Sequence, residues 1–171
     1  MPTRHFDIPN QARFLTFSCF HRRPLLDGAA LRDRYINHLD RSRNRLHFRL
    51  HAWVIMPDHV HLIVLPVQGA ISPVLRGLKQ GFSRQILTEW READDPRLSL
   101  VATSGSQCRF WQRGGGYDRN IRSPDELRRH TEYIHTNPVR RGLVERPEDW
   151  KWSSCAAWRG MESPILPDRL S

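Results

Sequence analysis

The sequence predicts an α+β fold of the ferredoxin-like, split βαβ kind, an antiparallel sheet with helices packed on it plus one extra C-terminal helix. Three observations predict it. Runs with an apolar period of two and runs with a period near 3.6 follow one another as strand, helix, strand, strand, helix, strand. The second and third strands are joined only by Pro57-Asp58, which makes them a hairpin. A chain of 171 residues suits one compact domain that buries its own core without staples. The reading is a single domain over residues 1–171, with a core of about 13–154 and a tail of 155–171.

The elements follow in order. Arg13 to Phe20 alternates apolar and polar residues and carries three phenylalanines, so it reads as a strand. Residues 21–28 (HRRPLLDG) form a turn, and Leu31, Tyr35 and Leu39 mark an amphipathic helix from Ala29 to about Arg45. HFRLHAWVIM (47–56) and HVHLIVLP (59–66) are the hairpin strands. Ser72-Pro73 opens a long helix with Val74, Leu78, Phe82, Ile86 and Trp90 on its apolar side. Its basic side carries Arg76, Lys79 and Arg84. Residues 93–109 show no period and read as a mobile connection. FWQRGGGYDRNIR (110–122) supplies a short fourth strand after its three glycines. Ser123-Pro124-Asp125-Glu126 is a capping box with proline at the first helical position. The helix it opens is expected to stop at Asn137-Pro138.

The charge narrows the function classes. Lysine and arginine together number 27, aspartate and glutamate 18, for a net charge of +9, spread over the chain instead of gathered in a tail. That is the electrostatic footprint of a protein that binds a polyanion, nucleic acid first among them. No apolar run reaches the length of a membrane span and residues 1–14 contain no apolar leader core, so a cytoplasmic protein is expected. Cys19, Cys108 and Cys155 are an odd number without metal-finger spacing, which suits a reducing compartment and no disulfide framework.

The third strand poses the chemical question. His59 and His61 alternate onto one face, with Ile63 and Leu65, while Val60, Leu62 and Val64 take the other. Two imidazoles side by side on a strand are either a satisfied core pair or half of a metal site, and the pair alone does not decide. On the last helix Tyr133 and Asn137 lie four residues apart and share a face, with His130 three residues before Tyr133. On the residues alone, an amphipathic core tyrosine and a helix-ending asparagine before proline are the more ordinary explanation.

Three stretches settle the preference: AWVIMPDHVHLIV (52–64), FWQRGGGYDRNIR (110–122) and EYIHTNPVRRGLV (132–144), with an echo in EDWKWSS (148–154). In order and spacing they resemble the REP-associated tyrosine transposases, relatives of the single-tyrosine insertion-sequence transposases within the His-hydrophobe-His nuclease superfamily. The resemblance implies a metal-dependent endonuclease and strand transferase that binds single-stranded DNA hairpins of the REP or BIME type and cuts near the hairpin foot. It implies that His59, His61 and Asn137 hold a divalent ion, Mg²⁺ or Mn²⁺, and that Tyr133 is the nucleophile, leaving a 5′-phosphotyrosine. Asn137 stands where mobile relatives place glutamine, and the glycines 114–116 depart from the bulkier residues expected there. His130 is a candidate base or outer partner. Arg76, Lys79, Arg84, Arg113, Arg119, Arg122, Arg140 and Arg141 are candidate DNA contacts. A monomer is expected in preference to a dimer, cytoplasmic in a bacterium and at the nucleoid when bound to DNA.

Two other classes stay open on the residues themselves. One is a hairpin-binding module of ferredoxin-like fold with little cleavage. The other is a His-x-His metal hydrolase that uses water, with Tyr133 structural. Tyr117 is a rival tyrosine, for which a packing or base-stacking role is expected. Trp150, Trp152 and Trp158 are expected to pack a C-terminal segment against the sheet in preference to stacking on bases.

Overall fold

The computed structural model describes residues 7–67, 70–104 and 107–169; the residues 1–6 at the expected leaderless start and the last two of the tail lie outside these. Strands β1 (Arg13–Ser18), β2 (Phe48–Ile55), β3 (His59–Pro66) and β4 (Tyr117–Asn120) form one antiparallel sheet in the order β2-β3-β1-β4. This is the strand order and direction of the split βαβ arrangement expected from the sequence.

One face of the sheet is covered by α1 (Ala29–Leu46), α2 (Ser72–Arg76) and α3 (Phe82–Glu92). Leu15, Phe17, Val60, Leu62 and Val64 from the strands meet Tyr35, Leu39, Leu78 and Phe82 from these helices there. Between α2 and α3 the chain stays helical through one π turn, Gly77–Gly81. A Cβ at Gly77 would lie 2.5 Å from the Leu46 side chain and one at Gly81 3.0 Å from the His38 ring, so the glycines let this helix press on α1. The sequence expectation of a single long helix is right in extent and misses only the π turn.

The other face carries α5 (Pro124–Arg140), where Phe14, Ala52, Val54, Ile63 and Ile134 form a second, smaller core with Trp150. A β-bulge at His51 puts Leu50 and Ala52 on opposite faces, although they are two residues apart. It shifts the alternation by one residue, so that Phe48 and Leu50 before it and Trp53 and Ile55 after it all reach the larger core. α5 begins with half of the predicted capping box, the Ser123 hydroxyl accepting from the Glu126 N–H, while Glu126 Oε2 accepts from the Arg122 N–H, one residue before the cap.

Two sequence expectations are corrected. The helix does not stop at Asn137-Pro138 but continues to Arg140, with Pro138 buried in its last turn. Pro138 has no N–H to offer the Ile134 carbonyl, but the chain beyond it is held by Gly142 N–H on Val139 O and Leu143 N–H on Pro138 O, so the helix runs one more half-turn before it ends. Nor is 93–109 a structureless connection. Leu98–Val101 form a short helix, α4, whose Val101 is fully buried, and Ala102 bridges to Cys108.

The three C-terminal tryptophans pack as expected. Trp150 and Trp152 form an edge-to-face pair, the Arg32 guanidinium lies 3.9 Å from the Trp152 ring, and Trp150 Nε1 donates to Ile55 O. Trp158 Nε1 donates to His51 O, with 44% of the residue still exposed. The short helix α6 (Cys155–Trp158) carries the last of them.

Candidate active site

β1, β3 and α5 enclose a cleft of about 610 Å³ on the second face of the sheet. Its floor is Phe14, whose ring stacks on His130 at 4.5 Å and on His61 at 5.7 Å. Tyr117 and Tyr133 meet the same ring edge-on, at 5.9 and 6.1 Å. His59, His61 and Asn137 form its back wall, and Arg22, Arg140 and Arg141 stand at its mouth.

The register explains the assembly. Thr16 faces His61 across the β1–β3 ladder, and its hydroxyl lies 2.6 Å from His61 Nδ1. That contact occupies Nδ1 and turns Nε2 toward α5, where the Asn137 amide nitrogen sits 3.2 Å away. Burial, and then the neighbouring His59 and Arg22, push the His61 pKa down to about 3, so the ring is neutral at physiological pH with a lone pair to offer.

His59 is oriented by a different partner. Its Nδ1 lies 2.6 Å from Oδ1 of the buried Asp58, leaving Nε2 to face outward, and the two imidazoles stand 4.6 Å apart and nearly perpendicular. Burial raises the Asp58 carboxyl, but the hydrogen bond and charge of His59 with the charges of Arg141 and Arg22 outweigh it and hold it below its usual range. Arg22 and Arg141 reach its Oδ2 at 3.3 and 3.4 Å.

The donor set fits a divalent cation. Asn137 is 6% exposed, and its Oδ1 is buried without a hydrogen-bond partner among the described residues. A buried carbonyl oxygen left unpaired beside two imidazole nitrogens is a costly arrangement for a protein alone and the expected one for a ligand. The set is lean, because among the described residues no three His, Cys, Asp or Glu side chains are placed to hold a metal ion together. Two imidazoles with one amide oxygen leave most of a coordination sphere to substrate and water, and suit Mn²⁺ at least as well as Mg²⁺.

Tyr133 stands over this wall, its ring centroid 5.3 Å from His61 and 37% of the residue exposed. The Arg140 guanidinium lies 5.2 Å from its ring, placing positive charge beside the phenol. His130 lines the same cleft, and burial followed by the charge of Arg119 lowers its pKa, so it is neutral and able to accept a proton.

The structure thus brings His59, His61, His130, Tyr133, Asn137, Arg140 and Arg141 into one cleft. It places other expected DNA contacts elsewhere. Arg76, Lys79 and Arg84 belong to the helical layer on the opposite face of the sheet, and none lines the cleft. Lys79 in particular donates to the carbonyls of Gln112 and Gly114, so its charge is spent on holding the glycine loop. Arg113 and Arg122 are exposed outside the cleft; Arg119 is bound to Glu126 at 2.7 Å. Sequence reasoning missed Phe14, Thr16, Arg22 and Asp58. Asp58 alone left a signal, an acid directly before the histidine pair; the others are joined to the site only by strand pairing and a turn.

Comparisons with known proteins give the family and the fold. Residues 12–137 match the family model described as "Transposase IS200 like". A Haemophilus influenzae protein named for the REP-associated tyrosine transposases is 32% identical over 123 residues, 71% of this chain and 65% of that protein. The REP-associated tyrosine transposase of Escherichia coli is 30% identical over 108 residues, 63% of this chain and 54% of that protein. The chain therefore spans less than two-thirds of the length of either relative. Among solved structures, that of a REP-associated tyrosine transposase bound to a REP hairpin superposes with a TM-score of 0.70 at 22% identity, covering 100% of this chain and 93% of the other. A crystal structure assigned as a transposase from Deinococcus radiodurans gives a TM-score of 0.50 at 17% identity, covering 79% of this chain and 96% of the other.

Proposed function

Because the chain belongs to the IS200-like transposase family, we propose that it is a REP-associated tyrosine transposase that binds a DNA hairpin with a single-stranded foot and breaks one phosphodiester beside it. The observation that carries this reading is the meeting of Tyr133 with His59, His61 and the unpartnered carbonyl oxygen of Asn137 in a single cleft. A protein that only bound hairpins would have no use for that set.

His59 Nε2, His61 Nε2 and Asn137 Oδ1 would hold a divalent ion, Mg²⁺ or Mn²⁺. Bound there, the ion would offset the charge that builds on the non-bridging phosphate oxygens. The remaining chemistry belongs to the chain. Thr16 and Asp58 hold the two imidazoles in the orientation that presents Nε2. Arg22, Arg140 and Arg141 draw the backbone phosphate to the mouth of the cleft. The Tyr133 hydroxyl attacks phosphorus and gives up its proton, for which His130 is the neutral acceptor in the cleft. The bond from phosphorus to the 3′ oxygen breaks, and that oxygen leaves as a 3′-hydroxyl once protonated. The product is a 5′-phosphotyrosine, which conserves the energy of the bond and permits rejoining without an external energy source.

Tyr133→Phe removes one oxygen and little volume. We expect it to abolish cleavage of a foot-bearing hairpin and to leave gel-shift affinity within about twofold, as expected for a group that acts only in the reaction. Wild-type protein should also form a covalent adduct with labelled DNA that chelation prevents. Undiminished cut product from the variant would sink the nucleophile assignment and favour a hydrolase using water. Binding without any cut product from wild type would leave a hairpin-binding module.

A further inference from the structure

Tyr117 is not consumed by the proposed chemistry, yet it is built into the cleft. It opens β4 and pairs across β1 with Thr16, which in turn pairs with His61. Tyr117, Thr16 and His61 therefore form one row across three strands on the same face of the sheet. Adjacent strands lie roughly 4.8 Å apart, so the Tyr117 and His61 backbones are about 10 Å apart.

The residue is 42% exposed, so part of its ring is open to the cleft. It is also fixed. Gly116 has φ +80°, and a Cβ there would lie 2.1 Å from the Thr16 carbonyl oxygen, so the chain reaches Tyr117 only by pressing tightly on β1. Phe14 holds the ring edge-on. Arg119 interacts with the phenol and is itself tied to Glu126 in the first turn of α5. An aromatic face set beforehand, open to solvent, with a guanidinium beside it, is what a stacked nucleotide requires.

We propose that Tyr117 is a base-stacking platform, holding the base of a nucleotide next to the scissile phosphate so that the single-stranded foot enters the cleft in one register. The inference rests on the reading of the cleft as a DNA-cleaving site, and it assigns Tyr117 a positioning role distinct from that of Tyr133.

The test uses the full chain, EDTA to prevent cutting, and a DNA hairpin with a mixed-sequence 5′ foot into which 2-aminopurine is placed one position at a time. Wild type and Tyr117→Phe should quench the fluorophore at one foot position, and Tyr117→Ala should not. Tyr117→Ala should also weaken binding of the foot-bearing hairpin about tenfold, the effect of one lost stacked base, without weakening binding of a hairpin that lacks the foot. An unchanged quenching profile in Tyr117→Ala, no quenched position at all, or equal weakening of both hairpins would overturn the inference while leaving the function standing. Quenching by a wild type that never cuts would keep the platform and sink the chemistry. Failure of every hairpin to bind would sink both.

Discussion

At the scale of single residues the site depends on which nitrogen each imidazole presents. His59 and His61 are oriented by unlike partners, a buried carboxylate and a threonine hydroxyl, both acting on Nδ1. Asp58 also carries Arg22 and Arg141, so its carboxylate joins the histidine wall to two of the arginines at the mouth of the cleft. Partners of this kind typically govern metal affinity about 10- to 100-fold. Asp58→Ala is therefore expected to weaken Mn²⁺ binding by about that range in isothermal titration, even in the absence of DNA. Unchanged affinity would mean that His59 is not oriented by Asp58 or is not a ligand.

At the scale of elements α5 has two working sides. One presents Tyr133 and Asn137 to the cleft, and the other presents His135 to a second cavity of about 550 Å³ shared with Trp158 and Arg159. His135 Nε2 lies 2.9 Å from the Ser154 hydroxyl, which also accepts from the Trp53 N–H, so this histidine ties α5 through the C-terminal segment to β2. Burial, followed by the charges of His51 and Arg159, pushes its pKa down to about 4. The unfolded chain takes up that proton near the ordinary histidine value of about 6.5, before the folded protein does. Stability is therefore fully present above that value and falls as the pH drops from about 6.5 toward about 4. His135→Gln removes this titration. Between about pH 7.5 and pH 5 the wild type should lose roughly 2 kcal/mol more than the variant in urea unfolding. Equal losses would show that His135 is not the group titrating.

At the scale of the whole molecule the two faces of the sheet divide the work. The face under α1, α2 and α3 holds the large core, and the face under α5 holds the cleft and a smaller one. A net charge of +9 would by itself attract DNA of any form, with an affinity expected to fall steeply with salt in proportion to the phosphates neutralised. Selection of a hairpin requires more, since backbone contacts position the protein and base contacts in the foot specify the site. A foot-bearing hairpin should therefore outcompete a scrambled strand of equal length, and the preference should persist when salt is raised. Replacing foot bases should cost about 1–3 kcal/mol for each lost contact. Equal affinities in a competition titration at two salt concentrations would leave only general phosphate attraction.

The sequence by itself determined the element order, the hairpin, the capped start of α5 and the shared faces of His59 with His61 and of Tyr133 with Asn137. All of these follow from backbone periods and local hydrogen bonds that act over a few residues. What only the tertiary structure decided is which distant residues meet. Thr16 reaches His61 through strand register, Arg22 reaches Asp58 through the turn after β1, and Tyr117 joins the row because Gly116 lets β4 close on β1. It also placed Lys79 and its helical neighbours away from the cleft, since a basic stripe on a helix does not record which face of the sheet the helix will cover. That choice is made by the packing of two unequal cores, and packing is a property of the assembled chain.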